Sequence, residues 1–328
     1  MYLRRISQTK FALGCDVSLT IVTNMADDEV DRCFQKLWLQ VYIFERSFSR
    51  FLPKSELTTF NRTTGINIPI SPEFKSLLIS AKKLGQQTDG LYNPFIVPAL
   101  QKAGYKKSAV PGYERDRQTD YTSRRVVGPD CITIGGNWAK IPYGTALDIG
   151  GCGKGYLADQ LGRTLKDYDI QGYWLSLGGD ILTKGSDENE NNISLDIQSS
   201  TDPSRTTDWI IDCPTDGYAV ATSGTFRSKG QNIQKNGHHI IDPSTQQPAK
   251  TDIRLATICA DTALQADVLA TCTVILGSKK ASTFLKKNGI KTALLQCIGE
   301  NGKSFEKIIG SNIHKINSAE LAGVAQNA

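Results

Sequence analysis

The nine residues Asp148-Ile149-Gly150-Gly151-Cys152-Gly153-Lys154-Gly155-Tyr156 set four glycines and one lysine between an extended approach and the start of an amphipathic helix. Chain lacking Cβ atoms lets backbone groups come close to a phosphate, and a helix N-terminus adds N–H donors and partial positive charge. The stretch reads as an anion cradle, or else as a structural tight turn. It departs from the Walker pattern, because Asp148 stands where the first glycine belongs and Gly155 replaces the Ser or Thr. It does not match GxGxxG either.

Outward from this loop the chain mixes helix and strand. Ala139 to Ile149 reads as a strand or strand approach, and Lys154 to Tyr168 as a helix with Leu157, Leu161 and Leu165 on one face. Tyr173 to Leu177 reads as a strand entering the turn Gly178-Gly179-Asp180. Thr262 and Gln265 form a capping box that opens a helix to Leu276, and a last helix, Lys279 to Lys287, stops before Gly289. In the first half, Val30, Phe34, Leu37, Val41, Phe44 and Phe48 fall at helical spacing within Asp28 to Phe48. A second helix starts at Ser71-Pro72-Glu73 and buries Phe74, Leu77, Leu78, Ala81 and Leu84 before ending near Gly85. Gly104 to Thr133 is polar and aperiodic, an excursion between two halves, and Ser186 to Asn192 is a surface turn.

Composition narrows the function. Over 328 residues, 39% apolar and 22% charged residues describe an ordinary globular chain. The net charge of +5 favours an anionic ligand without amounting to a nucleic-acid footprint. No run approaches the roughly 18 apolar residues of a membrane span, and Met1 to Gly14 has no apolar signal-peptide core. A cytoplasmic protein with no membrane span and no nucleic-acid partner is expected. The eight cysteines lie singly, without a CxxC pair, and are expected to be reduced and structural.

Two further groups carry chemistry. Asp267 and Thr271 lie four apart on the helix DTALQADVLATCTVIL and share a face. Two hard oxygen donors at that spacing suit Mg²⁺, although such a pair is more often solvated or capping. The segment Gly237-His238-His239-Ile240-Ile241-Asp242-Pro243 follows Ala221-Thr222-Ser223-Gly224. Adjacent histidines on an extended chain point to opposite sides, so only one faces a site; with Asp242 nearby it is either a general base or a hydrogen-bonded structural residue.

In order along the chain, FALGCDVSL (11–19), FSRFLPKSELTTFN (48–61), DGLYNPFIVPAL (89–100), ALDIGGCGKGYLAD (146–159), SLGGDILTKG (176–185), ATSGTF (221–226), HHIIDP (238–243) and ALQADVLAT (263–271) resemble the motif set of the ApbE family, the FAD:protein FMN transferases. The resemblance implies an α+β architecture, one domain over 1–328, with a lobe at about 11–105, the polar excursion at about 106–133 and a second lobe at about 134–315, FAD lying between the lobes. It implies Mg²⁺-dependent transfer of FMN from FAD to a Thr or Ser hydroxyl of an acceptor flavoprotein, with AMP leaving. By position, Asp267 and Thr271 match metal-binding side chains and Gly151 a carbonyl donor. Leu13, Phe51, Leu91, Tyr92, Asn93, Asp148, Lys154 and Ile241 match FAD contacts, and His239 matches the histidine of HxxDP, the expected base. Cys15 stands where the family usually has Thr, Asn93 where it has Asp, and Gln246-Gln247 where it has a glycine turn. A Mg²⁺-dependent FAD pyrophosphatase and a non-catalytic FAD or electron carrier are the competing readings.

Overall fold

The structure, a computed structural model, describes residues 2–105, 120–202, 204–225 and 238–315. Residues 106–119 of the polar excursion, Phe226 and Gly237 therefore lie outside the described residues.

The chain opens with a hairpin, β1 (Arg4–Ala12) and β2 (Cys15–Thr23), followed by helices α1 (Asp27–Phe48) and α2 (Glu56–Arg62), strand β3 (Ile68–Pro69), and helices α3 (Pro72–Gln87) and α4 (Val97–Lys102). Short strands β4 (Thr133–Ile134) and β5 (Trp138–Lys140) lead to α5 (Gly153–Thr164), then to β6 (Gly172–Leu177), β7 (Asp180–Gly185), β8 (Ile193–Gln198), β9 (Thr206–Cys213) and β10 (Tyr218–Gly224). After β11 (Ile241–Asp242) and β12 (Gln247–Pro248) come β13 (Ile253–Ala260), α6 (Ala263–Leu276), α7 (Ser278–Lys287), β14 (Thr292–Ile298), β15 (Ser304–Ile309) and β16 (Ile313–Lys315).

Eight strands form one antiparallel sheet in the order β1-β2-β6-β7-β10-β13-β14-β15. Period-two alternation gives the sheet two different faces. Ala219 and Ala221 of β10, with Ala256 and Ile258 of β13, belong to the large core that also holds α1, α3, α5 and α6. Val220, Cys259 and Leu294 point the other way, onto Ile193, Ile197, Ile211 and Ile313 of the small sheet β16-β9-β8. The α1 face expected from spacing is buried as a set, Val30, Phe34, Leu37, Val41, Phe44 and Phe48. Ser71 caps α3 by accepting the Phe74 N–H at 3.1 Å. None of the described helices is long and apolar enough to cross a membrane.

Two elements differ from expectation. Ala139 to Ile149 is a strand only through Lys140, and the rest is irregular. Pro142 cannot donate, Gly144 takes φ +74°, and Asn61 mimics a strand partner, donating to Leu147 O and accepting from Leu147 N, both at 2.8 Å. The helix expected to reach Tyr168 is α-helical only to Thr164 and tightens to a 3₁₀ turn over Leu165–Asp167.

Candidate active site

Helices α5 and α6 cap each other. The carboxylate of Asp159 on α5 accepts the Ala263 and Leu264 N–H groups at 2.8 and 3.1 Å, satisfying the first turn of α6. Asp267 on α6 accepts the Gly155 N–H of α5 at 3.2 Å. Thr262 caps α6 through the Gln265 N–H at 3.2 Å, but the Gln265 side chain donates to Asn288 O instead of returning to Thr262. The expected capping box is thus half made, and Asp159 supplies the rest. The helices can approach because Gly155 has no side chain: a Cβ there would lie 2.4 Å from Ala263 O.

The glycine loop is less open than an anion nest. The Gly150 N–H is taken by Asp148, the Cys152 and Gly153 N–H groups by Ile149 O, and that of Gly155 by Asp267. Its donors hold two carboxylates in place, one on each side. Asp148 is also ion-paired with Arg50, both side chains being almost wholly buried. The Arg50 guanidinium donates to Tyr105 O at 3.0 Å and lies 4.2 Å from the Phe51 ring centroid and 5.0 Å from that of Tyr105. Lys154 pairs with the buried Asp180 at the start of β7. That pair, with Asp267 adding to it, outweighs burial and pushes the lysine ammonium pKa up. Burial first, then Asp180, raises the Asp267 carboxyl, against the pull of Lys154.

The two histidines part as expected, although 238–240 is irregular and not a strand. His238 is buried, with Nε2 on Ala249 O at 3.0 Å and, among the described residues, no hydrogen-bond partner for Nδ1. His239 opens to solvent, its ring centroid 6.2 Å from that of Tyr105. Burial by the surrounding protein holds its imidazole down to about 4, with His238 and Lys154 adding to the effect. Asp242 does not orient His239: its carboxylate accepts the Ser244 N–H and hydroxyl at 2.8 and 2.7 Å and closes a turn.

A divalent cation fits this arrangement. Asp267 is a buried carboxylate whose charge is opposed by burial and by Asp180, and one helical turn on, Thr271 places its hydroxyl 2.9 Å from Ser223 Oγ. Among the described residues no three His, Cys, Asp or Glu side chains form a metal cluster. Asp267 and Thr271 could offer a carboxylate and a hydroxyl oxygen, a pair of the kind that suits Mg²⁺, which keeps water or phosphate in its other positions.

The ApbE family model matches residues 13–295. The chain belongs to the ApbE family. Among its relatives, a protein of Haemophilus influenzae named FAD:protein FMN transferase is 26% identical over 288 residues, 85% of this chain and 81% of the relative. One of the same name from Escherichia coli K12 is 24% identical over 278 residues, 83% and 78% of the two chains. The fold is that of the Pseudomonas stutzeri flavinyl transferase ApbE in its apo form (TM-score 0.77, 19% identity, 94% of this chain and 96% of that one). It is also that of the Vibrio cholerae flavin transferase ApbE (TM-score 0.75, 23% identity, 94% and 98%).

Of the residues carried over from the ApbE motifs, Asp148, Gly151, Lys154 and Asp267 gather around the α5 N-terminus, and Thr271 lies one helical turn beyond Asp267, against Ser223. Phe51 and His239 flank them through Tyr105. Leu13 sits in the β1–β2 turn at φ +57°, its N–H bonded to Glu45 at 2.9 Å. Tyr92 is buried beneath the loop, and a Cβ at Gly151 would lie 3.6 Å from its Cε2. Leu91 is partly buried, and the Asn93 amide is spent on Val127 O and the Phe95 N–H. Ile241 packs on Ala99 and Leu100 of α4. Sequence reasoning missed Arg50, Tyr105, Asp159, Asp180 and Ser223. Four of them lie inside the quoted motifs, where their neighbours drew the attention; Tyr105 lies in none.

Proposed function

We propose that this chain is a FAD:protein FMN transferase, moving FMN from FAD to a Thr or Ser hydroxyl of an acceptor flavoprotein through a phosphoester bond and releasing AMP. The observation that carries the reading is the buried Asp267, held by the Gly155 N–H one turn before Thr271 and beside the Lys154–Asp180 pair. That is a site built for cation and diphosphate together. FAD would lie between the N-terminal and C-terminal parts of a single domain.

Asp267, Thr271 and the Gly151 carbonyl would hold Mg²⁺, which supplies charge neutralisation for the diphosphate and the leaving phosphate. Lys154 faces the same oxygens as a fixed positive charge. Arg50, through Asp148, keeps the loop shaped for them. His239, neutral at physiological pH, takes the proton of the incoming hydroxyl, and an anionic diphosphate nearby raises its basicity. The acceptor oxygen bonds to the FMN-side phosphorus as the bond to AMP breaks. Water in that position gives the pyrophosphatase reaction, and an intact bound FAD gives the carrier. A reducing compartment, the cytoplasm, suits eight unpaired cysteines.

Purified protein incubated with FAD, Mg²⁺ and candidate acceptors should leave covalent flavin fluorescence on one acceptor in a denaturing gel. Asp267→Ala should lose about a hundredfold or more of this activity, with the fold retained by circular dichroism. His239→Ala should impair transfer while FAD still binds. Normal Mg²⁺-dependent turnover by Asp267→Ala sinks the metal assignment, and equal loss of binding and transfer by His239→Ala makes that residue structural.

A further inference from the structure

Among the described residues, strand β10 leaves part of one edge open. It pairs with β13 from Ala219 to Gly224 but with β7 only from Tyr218 to Val220, because β7 begins at Asp180 after the Gly178-Gly179 turn. The Thr225 N–H reaches Arg254 O across β13 at 3.0 Å, so alternation turns the backbone groups of Thr222 and Gly224 toward the other edge. Among the described residues no backbone group pairs with them there.

The open edge borders a cleft of about 440 Å³ between the large sheet and the small one, lined in part by Gly178, Gly179, Thr222 and Gly224 and, across from them, by Asp196 and Gln198. Both sides of the opening back onto the candidate active site. A Cβ at Gly178 would lie 3.8 Å from Lys154 Cδ, and Ser223, between the two open residues, is bonded to Thr271 on the opposite face. Gly179 has open space where a Cβ would stand.

We propose that this cleft docks the acceptor as an extended segment, which adds to β10 through the Thr222 and Gly224 backbone groups and passes its Thr or Ser between the Gly178-Gly179 turn and Ser223 to the reacting phosphate. The proposal rests on the transferase reading and adds where the second substrate sits. Paired edge groups two residues apart select extended backbone. The glycine wall lets that backbone come close. A large folded surface cannot enter a cleft of this size, whereas one strand can.

The test uses full-length protein and a peptide spanning the modified residue of whichever acceptor gains FMN in the assay above. In amide hydrogen exchange, Thr222 and Gly224 exchange readily in the free protein and slow when the peptide is added. Asp196→Trp, which fills the cleft from its exposed far wall, and Thr222→Pro, which removes one edge N–H, raise the acceptor KM by about tenfold or more. Cleavage of FAD by water serves as the internal control and stays within about twofold. Amides already protected in the free protein, or protected only as protein concentration rises, mean that the chain itself or a second copy closes the edge, and either overturns the proposal. So do an unchanged acceptor KM in Asp196→Trp and a parallel fall of FAD cleavage in both variants. If the wild type cleaves FAD but modifies no acceptor, the transferase reading fails, and the docking proposal with it.

Discussion

Gly151, just before α5, and Gly155, in its first turn, sit four residues apart and answer to different demands. A Cβ on Gly155 would meet the Ala263 carbonyl at 2.4 Å, backbone that cannot swing aside, whereas one on Gly151 would touch only the Tyr92 ring edge at 3.6 Å. Gly155→Ala is therefore expected to cost about 1–3 kcal/mol and to pull the Gly155 N–H from Asp267, while Gly151→Ala folds with little loss. Urea unfolding of the two variants checks this, and equal midpoints would refute the close-approach argument. His238 adds a pH dependence. Burial holds its imidazole below the usual 6.5, so below that value the unfolded chain takes up a proton that the folded chain resists. Stability is full above 6.5 and declines as pH falls through the window beneath it; His239, held down to about 4, acts in the same sense. Thermal melts should show His238→Gln losing less stability than wild type between about pH 7 and pH 5, and identical losses would contradict the assignment.

At the scale of elements, the mutual capping of α5 and α6 gathers the site. Asp159→Ala leaves two N–H groups of α6 without their acceptor and is expected to cost about 1–2 kcal/mol. It should also weaken Mg²⁺-dependent turnover, because α6 carries Asp267 and Thr271. Loss of stability with unchanged metal dependence would show that the cap does not position the ligands. Periodicity made α1, α3 and α5 legible, since each buries an apolar stripe, whereas cap and stop residues marked α6 and α7, of which α6 is buried nearly all round. It did not show that Asp159 and Asp267 reach across to each other's helix, because a carboxylate on a helix reads the same whether it meets solvent or a neighbour's first turn. The stretch after Lys140 looked like strand because Ile141 and Leu147 are apolar, and only the long-range bond from Asn61 explains why it needs no ladder. Gln246 shows the converse. It stands where the family usually has a glycine turn, and it takes φ +56°, a left-handed conformation that costs an L-residue roughly 1–2 kcal/mol.

Across the whole molecule, the eight-stranded sheet separates two environments. Its helical face holds Asp267, Thr271 and the glycine loop, and its other face meets the small sheet along the cleft beside Thr222 and Gly224. The motif residues were legible as an ordered set because the loop, the α6 pair and the histidine segment each carry a chemical pattern. Arg50 and Asp180 were not, since a charge acquires its role only from the partner that the fold brings to it. Such a molecule transfers FMN to protein, on the function proposed above, and does not merely bind or hydrolyse FAD. The most direct measurement is the intact mass of a candidate acceptor after incubation with the protein and FAD, in Mg²⁺ and in EDTA. A gain equal to one FMN in Mg²⁺, absent in EDTA and accompanied by AMP, is the predicted result. Free FMN with every acceptor unmodified would contradict the claim in favour of a pyrophosphatase, and FAD recovered intact would contradict it in favour of a carrier.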